Sequence, residues 1–253
     1  MSARVAVVGG SGKTGRAVSA ALADLGASPR PLGRADWADL AGAVAGCDAA
    51  YVIAPNLHPD EPAYVSEVLE ALRAAGVPRV VLHSVASPYA PDMPHHLGKA
   101  RAEDLVRRSG LVWAVLQPGA YLRNLPLDGS PMTVAYRADA PFGFAHLPDL
   151  GEAAARVLLG LLDGEHDGAT YELASLRATV AEVAAAAGAE VQVVSPEEWA
   201  ATAGAALEPR ERDWLRAMFD YYDRHGLPVG TLPMAALLGR PPTGLGQAVR
   251  PGP

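Results

Sequence analysis

A chain of 253 residues, half of them hydrophobic, buries one large core or a core with a smaller attached lobe. Its formal charge of −7, with no basic run to offset it, argues against nucleic acid or an anionic membrane as partner, and its longest apolar stretches, such as LVWAVL at 111–116, cannot span a bilayer. A single cysteine, Cys47, excludes an internal disulfide and a multi-cysteine metal site, and a strand begins too soon after Met1 for a signal peptide, so the expectation is a soluble cytoplasmic protein, monomeric or homodimeric, acting on a small molecule.

Residues 4–8 (RVAVV) form a β-branched run ending in glycines, the pattern of a buried parallel strand. The run leads into GGSGKTGRAV, whose Lys-Thr pair suggests an ATP-binding loop. A Walker A loop, G-x-x-x-x-G-K-[ST], needs glycine five residues before Gly12, and Val7 stands there. A nucleophile elbow, G-x-S-x-G around Ser11, fails at Lys13. What fits is G-x-x-G-x-x-G at Gly9, Gly12 and Gly15, placed between strand and helix. Gly9 permits the tight turn, Gly12 lets a pyrophosphate approach the backbone, and Gly15 lets the helix pack close on the strand. Ser11, Lys13 and Thr14 complete a cofactor loop at the positive end of the helix. That helix carries Val18, Leu22 and Leu25 on one face and stops at Gly26.

SPRPLGR follows where a second strand belongs. Pro29 and Pro31 remove donors on one side, so this strand lies at or nearly at the sheet edge, and the usual third strand is vestigial. An acidic residue at its end would bind the ribose 2′-hydroxyl of NAD, whereas a basic one accommodates the 2′-phosphate of NADP. Arg34 stands there, with Arg30 before it and Lys13 in the loop, so NADP(H) is expected over NAD(H).

A helix at 40–45, a strand at 49–54, a helix at 63–75, a strand at 79–82, a helix at 99–109 and a strand at 111–116 continue the alternation. It predicts an α/β domain with a parallel sheet and right-handed crossovers. Ala54, Pro55 and Asn56 end the strand at 49–54 and are expected to line the cofactor. Ser84 ends its strand where open α/β sheets bind ligands, or else caps a helix. Pro118, Gly119, Tyr121 and Asn124 follow the strand at 111–116 and should approach nicotinamide and substrate. Cys47 reads as a small buried residue before a strand.

After Leu125 the texture turns rich in Pro, Gly and Asp, and helical patterns recur at 149–162, 178–187, 196–203 and 208–225. The division expected is a cofactor-binding core over 1–125, a smaller substrate lobe over 126–239 with some elements returning to the sheet, and a flexible tail over 240–253. Trp214, Met218 and Tyr221 form a stripe that reads as core packing.

GGSGKTGRAV, GRADW and the segment from Pro78 to Asn124, with its H-x-x-x-K, SGL and QPxxYxxN patterns, resemble the NmrA-like branch of the atypical short-chain dehydrogenase/reductases. Similarity is closest over 78–124 and loosens towards residue 200. The resemblance implies a Rossmann-type doubly wound parallel sheet, NAD(P)(H) as ligand, and a substrate cleft between sheet and C-terminal lobe. Short-chain dehydrogenases place a serine after the fifth strand and a Tyr-x-x-x-Lys pair on the next helix. Here Ser84 and Lys99 hold two of those positions, and His95 stands at the tyrosine's.

Lys99 would hold the nicotinamide ribose and lower the pKa of a nearby acid. His95 either donates a proton to a carbonyl oxygen, its ordinary pKa lying near neutrality, or shapes the pocket from a loop. Tyr121 is either an alternative acid or a pocket wall. Nothing like H-E-x-x-H accompanies the histidine pair, so no metal is expected. The leading reading is NADPH-dependent reduction of a carbonyl or conjugated carbonyl on a small organic compound. The alternatives are a non-catalytic NAD(P)-sensing regulator, favoured by His95 in the tyrosine's place, and an isomerase or epimerase using a bound nucleotide.

Overall fold

The computed structural model describes residues 2–250. The first elements follow the predicted alternation: β1 (Arg4–Val8), α1 (Lys13–Asp24), β2 (Ser28–Leu32), α2 (Leu40–Val44), β3 (Ala49–Ile53), α3 (Glu61–Ala74), β4 (Arg79–His83), α4 (Pro94–Arg107) and β5 (Val112–Pro118). Three short strands come next, β6 (Ala120–Tyr121), β7 (Met132–Val134) and β8 (Phe142–Ala145). The long helix α5 (Leu147–Leu162) then returns the chain to the first sheet, where β9 (Ala169–Leu173) pairs parallel with β5. β10 (Leu176–Ala178), α6 (Val180–Ala187), β11 (Val191–Val193), α7 (Pro196–Ala201), α8 (Pro209–His225), α9 (Leu232–Leu238) and α10 (Leu245–Ala248) complete the lobe.

The main sheet has the order β2-β1-β3-β4-β5-β9, all parallel. From β1 the chain moves outward to β2 and then crosses back to β3 on the other side of β1. The resulting switch point, at the carboxyl ends of β1 and β3, is where open α/β sheets take ligands. β2 is the edge strand. Ser28 donates its amide inward to the Ala3 carbonyl at 2.7 Å, so by the two-residue period the blank nitrogens of Pro29 and Pro31 face outward. A further strand would find no donors there, and a 3₁₀ turn over Arg34–Asp39 follows instead.

Both faces of the sheet are covered, as parallel strands require. Val5, Val7, Tyr51, Val81 and Leu116 point to one face and pack with Val18 and Leu22 of α1 and Leu150 and Leu158 of α5. Val8, Val52, Val80, Leu82 and Val115 point to the other and pack with α2, α3 and α4, where Cys47 is also buried. α1 and α5 approach so closely that a Cβ on Gly151 would lie 2.8 Å from the Ala17 carbonyl oxygen. A third core, including Leu122, Phe142, Phe144, Val183 and Tyr222, fills the lobe around two small sheets, β10-β8-β6 and β11-β7.

Two differences from the sequence expectation bear on the site. α4 starts at Pro94 rather than near Lys99, because proline's missing N–H is harmless in the first turn of a helix. His95 and His96 are therefore helical, not loop, residues. The stretch expected as a flexible tail is packed on the protein as far as Ala248. Asp149 is buried and its carboxylate demands partners, which Arg240 Nη2 at 3.1 Å and the Thr243 amide at 2.8 Å supply. Leu245 and Ala248 of α10 pack on the third core. Residues 251–253 lie outside the described residues. Among the described residues no helix is long and apolar enough to cross a membrane.

Candidate functional site

The turn between β1 and α1 admits nothing but glycine at its tightest points. Gly9 has a φ of +82°, and a Cβ there would lie 2.6 Å from the Ile53 carbonyl oxygen. A Cβ on Gly15 would lie 2.5 Å from the Gly9 carbonyl oxygen. Gly12, the N-cap of α1, is open by comparison, since its added Cβ would meet only the Gly9 oxygen at 3.3 Å. No side chain caps the helix. Arg16 donates its amide to the Gly12 carbonyl at 3.0 Å, so the amides of Lys13, Thr14 and Gly15 have no acceptor within the helix. The Arg16 guanidinium bonds the Ser11 carbonyl and braces the turn.

Free amides at the positive end of a helix, beside an open glycine, suit a pyrophosphate. Gly33 lies against the same turn, a Cβ there falling 3.5 Å from Ser11 Oγ, and Arg34 follows it, exposed. Lys13 is exposed as well. The Gly33 amide donates to Asp36 at 2.8 Å, which fixes the path of the chain at Arg34. These residues fit a dinucleotide.

The remaining candidates do not gather into one site. Side chains alternate along β4 and beyond it, so His83 and Ser84 leave opposite faces of the sheet. Ser84 Oγ donates to Glu103 at 2.5 Å, and Glu103 also accepts from Gln117 Nε2 at 2.8 Å and Arg107 Nη2 at 3.2 Å. Glu103 is wholly buried, and this network pins α4 to the sheet. Ser84, expected as a catalytic residue, has its hydroxyl engaged by Glu103 inside the core, which weighs against that role.

Lys99 reaches from α4 to the first turn of α3, where its Nζ lies 2.8 Å from Glu61 Oε1, both residues being buried. The pairing offsets the cost of desolvating the ammonium. One helical turn earlier His95 is also buried and stacks on Trp214 of α8, ring centroids 5.9 Å apart. His95, Glu61, Arg101 and Trp214 border a cavity of about 260 Å³. Burial, then the charges of Lys99, His96 and Arg210, push the His95 pKa down to about 3. A ring neutral at pH 7 has no imidazolium proton to give. Burial and the stack on Trp214 weigh against the imidazolium donor role expected of His95 and favour its alternative part as a wall of the cavity.

Tyr121 leads elsewhere. Its hydroxyl lies 3.2 Å from Thr14 Oγ1 and 2.7 Å from His83 Nε2, and His83 Nδ1 lies 2.6 Å from the Tyr51 hydroxyl. One hydrogen-bonded chain thus joins the glycine loop to β6, β4 and β3. Burial pushes Tyr121 up to about 12, with the Thr14 bond pulling partly back, and pushes His83 down to about 3, with Lys99 adding to the effect. Sequence reasoning missed Tyr51 and His83. The available signal was a tyrosine and a histidine at positions of AAYVI and RVVLH that a doubly covered sheet must bury.

Other predicted residues fall around this centre. Ala54 is buried, and Pro55 and Asn56 are exposed at the carboxyl end of β3. The Pro118 carbonyl accepts the Ala86 amide at 2.9 Å, and Gly119 is so close to β8 that a Cβ would fall 2.1 Å from the Gly143 oxygen. Asn124 is exposed at the end of a 3₁₀ turn.

Residues 32–144 match a family model described as NAD(P)H-binding. The chain is similar to an NAD(P)H azoreductase of Xenophilus azovorans, with 30% identity over 155 residues, 59% of this chain and 54% of that protein. It thus spans about half the length of the curated relative it matches. Its fold is that of an NADPH-dependent quinone oxidoreductase from Escherichia coli in complex with NADPH, at a TM-score of 0.79 and 23% identity over 97% of this chain and 98% of that one. NmrA, a negative transcriptional regulator in complex with NAD, shares it at a TM-score of 0.77 and 16% identity over 98% and 94% of the two chains. The fold is Rossmann-type, and the matches agree with the NmrA-like resemblance carried by the residues.

The buried histidines carry a pH signature. His83, His95 and His96 are held at about 3, 3 and 4, below the ordinary 6.5, chiefly by burial. Between about pH 6.5 and 4 the unfolded chain therefore binds more protons than the fold. Stability is full above that window and falls as pH drops through it. Each histidine contributes a slope of about 1.4 kcal/mol per pH unit. Urea unfolding between pH 7.5 and 4.5 should show this fall, and His95→Gln should make it shallower. A slope untouched by His95→Gln contradicts a neutral, buried His95.

Proposed function

We propose that the chain is an NADPH-dependent reductase of a carbonyl or conjugated carbonyl on a small organic compound, with Tyr121 as proton donor. One observation carries the reading: the Tyr121 hydroxyl lies 3.2 Å from Thr14, a member of the dinucleotide loop itself. The azoreductase that is 30% identical, and the quinone oxidoreductase that shares the fold, support a reductase.

On this reading the amides of Ser11, Lys13, Thr14 and Gly15 hold the pyrophosphate at the start of α1. Arg34, aided by Arg30 and Lys13, meets the 2′-phosphate, and Ala54, Pro55 and Pro118 flank the cofactor along the strand ends. Lys99 keeps N–H donors beyond its bond to Glu61, and these can hold the ribose hydroxyls. When bound, the reduced nicotinamide supplies a hydride to the substrate carbon. Tyr121 supplies the proton. As the carbonyl oxygen gains an electron pair, the Tyr121 O–H bond breaks, the proton passes to that oxygen, and solvent reprotonates the phenolate. With its pKa at about 12, Tyr121 keeps its proton until such a basic oxygen develops beside it.

A second reading, a cofactor-binding regulator without turnover, is favoured by the engagement of Ser84, His95 and Lys99 inside the protein.

Tyr121→Phe should leave NADPH affinity near its parental value and lower turnover by about 10²–10⁴-fold, the usual loss for a general acid. Steady-state kinetics on a panel of ketones and enones, with NADPH titration alongside, reads both. Parental turnover in Tyr121→Phe refutes the donor, and tight NADPH binding with no turnover by the parent supports the regulator. Arg34→Asp should weaken NADPH by roughly tenfold or more, the worth of one charge-assisted bond, and NADH far less. Equal losses in the two titrations mean that Arg34 does not meet the 2′-phosphate.

A further inference from the structure

We infer that His83, held by Tyr51, is a positioning residue that aims the Tyr121 proton outward to the cofactor loop and steadies the Tyr121 oxygen as that proton leaves. The catalytic half rests on the reading of Tyr121 as donor; the orientation of the hydrogens does not.

Tyr51 and His83 stand two places apart in the pairing of β3 with β4 and leave the same face of the sheet. Tyr51 is fully buried, and among the described residues its hydroxyl has one partner, His83 Nδ1 at 2.6 Å. A hydroxyl hydrogen in a core must find an acceptor, and a neutral imidazole offers a single acceptor nitrogen. Nδ1 therefore accepts from Tyr51, and Nε2 carries the ring hydrogen. That hydrogen is donated to the Tyr121 oxygen at 2.7 Å. The hydrogen of Tyr121 cannot then face His83. It is directed to Thr14 Oγ1 at 3.2 Å, a long bond that a substrate oxygen can take over.

The opposite tautomer fails on the same inventory. Nδ1–H would face the Tyr51 oxygen, strand the Tyr51 hydrogen in the core, and draw the Tyr121 proton inward to a bare Nε2. Protonating the ring would strand the Tyr51 hydrogen too, and burial with the nearby Lys99 charge opposes it. In the favoured arrangement the proton leaves Tyr121 for the substrate oxygen and the O–H electron pair stays behind. The Nε2–H bond to that oxygen strengthens as its charge grows. His83 neither gains nor loses a proton.

Long-range proton–nitrogen spectra of the full chain with ¹⁵N-labelled histidine test the tautomer, with His83→Gln identifying the His83 signal. The result expected is a protonated Nε2 and a bare Nδ1 at pH 7, with the preference weakened in Tyr51→Phe. A protonated Nδ1, or an imidazolium at pH 7, overturns the inference whether or not the chain reduces anything. For the positioning role, His83→Phe should lower kcat by roughly ten- to hundredfold, as misplacing a reacting group does, with KM near the parental value. Glutamine can both accept from Tyr51 and donate to Tyr121, so His83→Gln should restore most of the rate. Parental kcat in His83→Phe overturns the role. Should His83→Phe not fold, the ring spectrum decides alone. A protein with the expected spectrum and no turnover would instead count against the reductase reading.

Discussion

The close approach of α1 to the end of β1 governs the rest of the site. A side chain at Gly15 would collide with the Gly9 carbonyl 2.5 Å away, and one at Gly9 with the carbonyl of Ile53. Because those positions are bare, the helix starts tight against the sheet with its first amides unbonded and its positive end at the switch point. The same geometry carries Thr14 to the hydroxyl of Tyr121, which β6 presents beside β8. A loop set back by the width of one methyl group would lose the amide cradle and the contact with Tyr121 together.

Around that turn, three buried polar groupings solve the problem of placing charge and hydroxyls in a doubly covered sheet. Glu103 gathers Ser84, Gln117 and Arg107 under α4. Glu61 neutralises Lys99 across the gap between α3 and α4. Tyr51 and His83 pair on the opposite face and reach the surface only through Tyr121. The first two tie α4 to the sheet and to α3, although Glu61 Oε2 and Arg107 Nε are left without a partner among the described residues. The third ends on a half-buried hydroxyl at the loop, and the donor role proposed for Tyr121 rests on that difference. The familiar serine and lysine positions are present in the chain, yet the pleat of β4 sends Ser84 away from the loop.

Much of this was legible in the sequence because it rests on local rules. The strand–helix alternation, the glycine spacing and the outward prolines of β2 each follow from backbone geometry, and the sheet order agrees with them. Burial and partner choice were not legible. His95 reads from the sequence as a donor of ordinary pKa or a loop wall, because nothing local shows that a helix begins at Pro94 or that Trp214 stacks on the ring. His83 passed unnoticed because a polar residue ending an apolar strand shows its meaning only once Tyr51 and Tyr121 are brought to its two nitrogens from 32 and 38 residues away. The stretch after Arg240 looked loose from its prolines and glycines, but its anchor, Asp149, lies 91 residues earlier.

The central claim is that the turn from Gly9 to Gly15 is a dinucleotide cradle opening on Tyr121. Titration calorimetry of the purified chain with NADPH, and separately with ATP and magnesium, tests it most directly. The account predicts one NADPH bound per chain and no heat from ATP. Binding of ATP with magnesium, and none of NADPH, would contradict it.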